Sequence, residues 1–74
     1  MRELEIGLVK WMNPRGFGFI SRKNGKRDIF FHITDIHADA TEVMIDQPVY
    51  FREKQTVRGP QAVEVMPIDE NNIA

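Results

Sequence analysis

Two short runs carry the chemistry of this chain: Arg15-Gly16-Phe17-Gly18-Phe19-Ile20 and, nine positions after Ile20, Ile29-Phe30-Phe31-His32-Ile33. In an extended strand successive side chains alternate between faces. Phe17 and Phe19 therefore share one face of the first run, with Gly16, Gly18 and Ile20 on the other. Phe30 and His32 share a face of the second run, opposite Ile29, Phe31 and Ile33. Paired as a hairpin, the runs place three rings and an imidazole on one side of a small sheet. Rings displayed in this way, with Lys10 and Arg15 flanking them, suit stacking on unpaired bases. Each such stack contributes about 1–3 kcal/mol and tolerates any sequence, because every base has a π-face.

The elements that must hold these rings are short. No window repeats apolar residues at helical spacing for more than a turn, whereas short runs separated by turn signals recur. Strands are predicted over residues 5–12, 16–21, 28–33, 48–54 and 61–66. Asn13-Pro14 ends the first, and Asn24-Gly25 supplies the positive-φ pair of a hairpin turn between the second and third. A single helical turn capped by Thr34 and an acidic loop reaching Gln47 follow. Five short strands of this kind suit a closed antiparallel barrel, since an open sheet would leave exposed edges and an uncovered apolar face. The interior is assigned to Val9, Ile20, Ile29, Phe31, Ile36, Val49, Phe51, Val63 and Val65. Strict alternation puts Lys10 and Trp11 on opposite faces, so both can meet one ligand only if the first strand bulges.

Size and composition bound the function. With 74 residues the chain is one small domain, expected over 1–68 with a polar tail over 69–74, and it has little room for a deep catalytic cleft. It has no cysteine, which excludes a disulfide scaffold and a Cys-based zinc site. His32 and His37 have no third ligand to match them, no nucleophile–base pair or carboxylate couple stands out, and no cofactor is expected. No apolar signal region opens the sequence and no run is long enough to span a bilayer, so a monomeric cytoplasmic protein is expected. The net charge is −1, but residues 1–34 carry seven bases and three acids, net +4, while residues 35–74 carry three bases and eight acids, net −5. The positive half holds the aromatic runs. Screening limits charge effects to about 10 Å, so a local basic strip attracts phosphate whatever the acidic half does. Arg22, Lys23, Lys26 and Arg27 belong either to that strip or to a solvated turn.

A Phe-rich strand is ordinarily core. Here Trp11, Phe17, Phe19 and Phe30 cannot all enter a barrel already filled by Ile, Val, Phe31 and Phe51, and an exposed aromatic patch marks an interaction site. A peptide-docking module on the same barrel is the alternative.

In order and spacing, Gly7-Leu8-Val9-Lys10-Trp11-Met12-Asn13, Arg15-Gly16-Phe17-Gly18-Phe19-Ile20, Asp28-Ile29-Phe30-Phe31-His32 and Arg58-Gly59-Pro60-Gln61-Ala62 resemble the bacterial cold-shock proteins. The resemblance runs from about residue 7 to 65. It implies an all-β, five-stranded antiparallel OB-type Greek-key barrel that binds single-stranded RNA or DNA with little sequence preference. RNA-chaperone or antitermination activity and no enzymatic role go with it. Under this resemblance the stacking residues are Trp11, Phe17, Phe19, Phe30 and His32. Lys10, Arg15 and Arg58 meet phosphates or base edges, and Pro60 and Gln61 meet a base at the platform's rim. The RNA-recognition motif shares the Gly-Phe-Gly-Phe run but requires two helices that this sequence lacks. Met12 and Ile33 stand where family members carry aromatics, and the 37–47 loop is acidic, which implies fewer stacked bases and weaker binding.

Overall fold

The computed structural model describes residues 3–23, 25–37 and 43–68. Five strands, β1 (Leu4–Asn13), β2 (Phe17–Arg22), β3 (Ile29–His32), β4 (Pro48–Thr56) and β5 (Gly59–Pro67), close into a barrel in the order β1-β2-β3-β5-β4, with β4 pairing back to β1. All pairings are antiparallel except the closing one, where β3 meets β5 in parallel at Phe30 and Gln61. The expected five-stranded barrel is present, and the parallel seam is what its strand order requires. A 3-10 turn, Ile33–Asp35, follows β3 directly and takes Ile33 out of the strand. Its cap is His32, whose Nδ1 accepts from the Thr34 amide, rather than Thr34 itself. Asn24, expected in the β2–β3 turn, lies outside the described residues, as do residues 38–42 and the 69–74 tail; Gly25 has the positive φ, +79°, that such a turn needs. No helix is long and apolar enough to cross a membrane among the described residues.

Parity decides what is inside. Val9, Ile20, Ile29, Phe31, Val49, Phe51 and Val65 are fully buried, and Ile36 packs against them from the side. Val63 is not in the core, contrary to the alternation expected of β5. Glu64 adopts φ +53°, and the β4–β5 register slips between Tyr50 and Arg52. This bulge gives β5 an extra residue, so Ala62 and Val65 point inward and Val63 turns out. Val43, an isolated apolar residue in the acidic connection, also seals the barrel at 5% exposure. Nothing periodic surrounds it to announce this.

Gly16 and Gly18 shape the start of β2. A Cβ on Gly18 would run into the Trp11 carbonyl and come within 2.9 Å of the Phe31 ring. Gly16 sits at φ +104°, accepts a 2.8 Å bond from the Ile33 amide, and ends the 14–16 turn before β2 begins at Phe17. The bare backbone at Gly18 is therefore the space that Phe31 fills.

Arg22 resolves its two readings in favour of structure. Its side chain is 4% exposed and bonds Glu5 at 2.7 Å and Glu53 at 2.6 Å, tying β2 to β1 and β4, with the guanidinium 5.9 Å from the centre of the Phe51 ring. Burial works against its charge, but the two carboxylates outweigh burial and raise its pKa. The bond from Arg22 holds the Glu53 carboxyl below its ordinary value of 4.5, against the opposing effect of burial.

A carboxyl whose folded pKa is depressed stabilises the fold above its unfolded value and loses that contribution as pH falls through the folded one. Glu53→Gln is therefore expected to cost about 1.5–3 kcal/mol at pH 7, the range for a hydrogen bond to a charged group. The gap to wild type should narrow below pH 4.5 in urea titrations run across pH. Phe31→Ala is expected to cost about 3–5 kcal/mol in the same measurement at neutral pH.

Candidate nucleic-acid interface

The register lines up the ring-bearing residues across three strands and sets Gln61 of a fourth beside them. Trp11 on β1 pairs with Phe19 on β2, Phe19 with Phe30 on β3, and Phe30 with Gln61 on β5; Phe17 pairs with His32 in the next row. All of these side chains lie outside the barrel, because their neighbours Val9, Ile20, Ile29 and Phe31 fill it. The rings form a closed circuit. Trp11 lies 5.7 Å from Phe17 and 6.1 Å from Phe19, and Phe30 lies 5.9 Å from Phe17 and 6.0 Å from Phe19, centre to centre. Interplanar angles run from 31° to 73°, so the rings brace one another while exposing different faces and edges. Trp11 is 43% exposed and the three phenylalanines are half-buried.

Trp11 reaches this face through the bulge that parity demanded. Val9 pairs with Ile20 and Trp11 with Phe19, which leaves Lys10 as the extra residue. The Val9 backbone is held there by the end of the acidic connection: its amide donates to the Gln47 carbonyl at 3.0 Å, and its carbonyl accepts from the Asp46 amide at 2.7 Å. Val9 is thus sealed inside while Lys10 and Trp11 both reach solvent.

The polar residues divide by what already holds them. Lys10 pairs with Asp28 at 3.0 Å in an exposed bridge, which costs little to exchange for a phosphate. Neither the Arg15 nor the Arg58 guanidinium has a partner among the described residues, and both are exposed. Arg15 is presented by the turn in which its amide donates to Asn13 Oδ1 at 2.7 Å. The His32 ring is fixed, since its Nδ1 accepts from the Thr34 amide at 3.2 Å and lies 3.0 Å from Thr34 Oγ1. Pro60 is exposed at the start of β5, and Gln61 donates to Asp35 at 2.7 Å.

Phe19 and Phe30 also form one wall of an open groove of about 520 Å³, whose other wall is the β4–β5 hairpin from Thr56 to Gln61. That hairpin is tied by Thr56 Oγ1, which donates to the Gly59 carbonyl at 2.8 Å and accepts from the Arg58 amide at 3.1 Å, and Gly59 turns the chain at φ +114°. Register and ring contacts thus bring together Trp11, Phe17, Phe19, Phe30, His32 and Gln61, and the groove adds Arg58 and Pro60; Lys10 and Arg15 are exposed beside them in sequence. Two positions noted as departures fall differently: Met12 packs against the core, whereas Ile33 is 47% exposed at the start of the 3-10 turn. No motif marks the Asp35 bond to Gln61, and Thr56 and Val57, which line the groove, fall outside the strands expected over 48–54 and 61–66. Among the described residues no three His, Asp or Glu side chains gather where a metal could sit.

The chain has relatives among known proteins. Cold shock-like protein CspJ of Salmonella typhi is 44% identical over 62 residues, which are 81% of this chain and 89% of that protein. Cold shock-like protein CspI of Escherichia coli K12 is 42% identical over 62 residues, with the same shares. Cold shock-like protein CspA of Vibrio cholerae is 40% identical over 67 residues, 88% of this chain and 96% of its own length. Among solved structures, drosophila Unr CSD456 superposes with a TM-score of 0.78 over 97% of this chain at 24% identity, a likeness of fold, and this chain spans 29% of its length. With residues 5–68 matching the 'Cold-shock' DNA-binding domain, and a five-stranded barrel carrying the ring platform outside it, the chain belongs to the cold-shock domain family.

Proposed function

We propose that this protein is a cytoplasmic monomer that coats unpaired RNA or single-stranded DNA, stacking bases on Trp11, Phe17, Phe19, Phe30 and His32. The observation that carries this reading is the closed circuit of four rings on the outer wall of a barrel too small to contain them. Lys10, Arg15 and Arg58 supply the salt-dependent part of the affinity, and Pro60 and Gln61 meet a base across the groove from Phe19 and Phe30. Ligand that binds only unpaired strands shifts the equilibrium away from base-paired structure by mass action, which is the physical content of an RNA-chaperone role. Met12 adds no ring to the platform and Ile33 offers an aliphatic surface in place of one, so fewer bases stack than on a platform with aromatics at both positions.

Titration of the Trp11 fluorescence with a pyrimidine oligonucleotide at several salt concentrations tests the reading. Quenching is expected, with log K falling by about 0.7 per phosphate contact as log salt rises, hence a slope near −2 for three cations. No fluorescence change even at high oligonucleotide concentration would instead favour an apolar peptide dock. Phe17→Ala and Phe30→Ala are each expected to weaken binding by about 1–3 kcal/mol while leaving the unfolding midpoint nearly unchanged. If Phe17→Ala unfolded the domain, that ring would be core and the platform would be misassigned.

A further inference from the structure

Asp35 sits where the barrel closes. β3 and β5 share a single register pair, Phe30 with Gln61, and the 3-10 turn that follows β3 brings Asp35 beside it. One carboxylate oxygen, Oδ2, accepts from the His32 amide at 2.8 Å and from the Gln61 side-chain amide at 2.7 Å. A carboxylate only accepts, so the NH2 end of Gln61 must face it, and the orientation of that amide is decided by chemistry. The carbonyl Oε1 is left over. No donor reaches it among the described residues, and no partnerless side-chain oxygen or nitrogen on a half-buried residue is shut away from solvent there. Oε1 therefore keeps access to solvent, on a residue that lines the groove with Phe19 and Phe30.

We propose that Asp35 is a positioning residue for base recognition: by fixing the Gln61 amide it makes the groove beside Phe30 a hydrogen-bond acceptor for a ring N–H on a base edge. The inference rests on the nucleic-acid reading above and adds to it a source of base preference. An acceptor locked in place pairs with the ring N–H of uracil, thymine or guanine. It opposes the bare ring nitrogen that cytosine or adenine presents at the same position, and a site built for one polarity rejects the other by leaving its own group unpaired. A free amide would turn to offer whichever end the base needs. Asp35 touches no ligand in this scheme and acts through Gln61.

The test compares oligo-U with oligo-C of equal length, two pyrimidines of the same size, by Trp11 fluorescence for wild type, Asp35→Ala and Asp35→Asn. Wild type is expected to favour oligo-U by about two- to tenfold, the span of one net hydrogen bond. Asp35→Ala should bring the ratio close to one. Asp35→Asn, whose amide oxygen still accepts from both donors, should keep it. If Asp35→Ala fails to fold, Gln61→Leu carries the same expectation, a ratio near one. An equal loss for both oligonucleotides in Asp35→Ala, with the ratio intact, would make the role merely structural and overturn the proposal, as would a wild type without preference. Failure of wild type to bind either oligonucleotide would be a different result, removing the nucleic-acid reading itself.

Discussion

The packing of Phe31 against the bare backbone of Gly18 is the contact on which the other features rest. Gly18 leaves room on the inner face of β2, and Phe31 fills it with its ring fully buried. Because strands alternate, fixing Phe31 inward forces Phe30 and His32 outward on β3, and fixing Gly18 inward forces Phe17 and Phe19 outward on β2. A slip of one residue in either strand would exchange the core for the platform. The apolar contact that stabilises this domain is thus also the device that exposes its rings.

The rest of the platform depends on irregularities. The bulge at Lys10 lets Val9 close the barrel while Trp11 joins the outer rings, and the second bulge at Glu64 brings Ala62 and Val65 inward beneath the seam. Both lie where the barrel must curve, and both are the usual means by which a small sheet closes. The loop end at Asp46 and Gln47 takes up the Val9 backbone groups at the first bulge, so a segment remote in sequence holds Trp11 in place.

Electrostatics is divided in the same way between holding the fold and meeting a ligand. Arg22, in the basic half of the chain, is consumed by Glu5 and Glu53 and stitches three strands together. Lys10, Arg15 and Arg58 remain exposed around the rings. A nearly neutral chain therefore keeps exposed cations beside the rings, although Asp28 pairs with Lys10 and Asp35 with Gln61, while Glu5, Glu53 and Glu64 are bound to arginines. Salt screening makes these cations, rather than the net charge, what a phosphate meets at close range.

What the sequence determined by itself was the set of side chains whose period is two and whose neighbours leave no choice. Phe17, Phe19, Phe30 and His32 outside, with Ile20, Ile29, Phe31, Val49 and Phe51 inside, follow from alternation and from the volume of a small barrel. The fold class and the ring face were legible for that reason. What only the tertiary structure decided were the places where the period breaks or where distant segments meet. Val63 turned outward because Glu64 bulges, Val43 was drawn into the core from a polar connection, and Arg22 was buried by carboxylates 17 and 31 residues away. Asp35 and Gln61, 26 residues apart, meet only because the barrel closes in parallel at Phe30. Local pattern fixes the face a residue takes; which residues share that face across the seam depends on closure, and no local pattern encodes it.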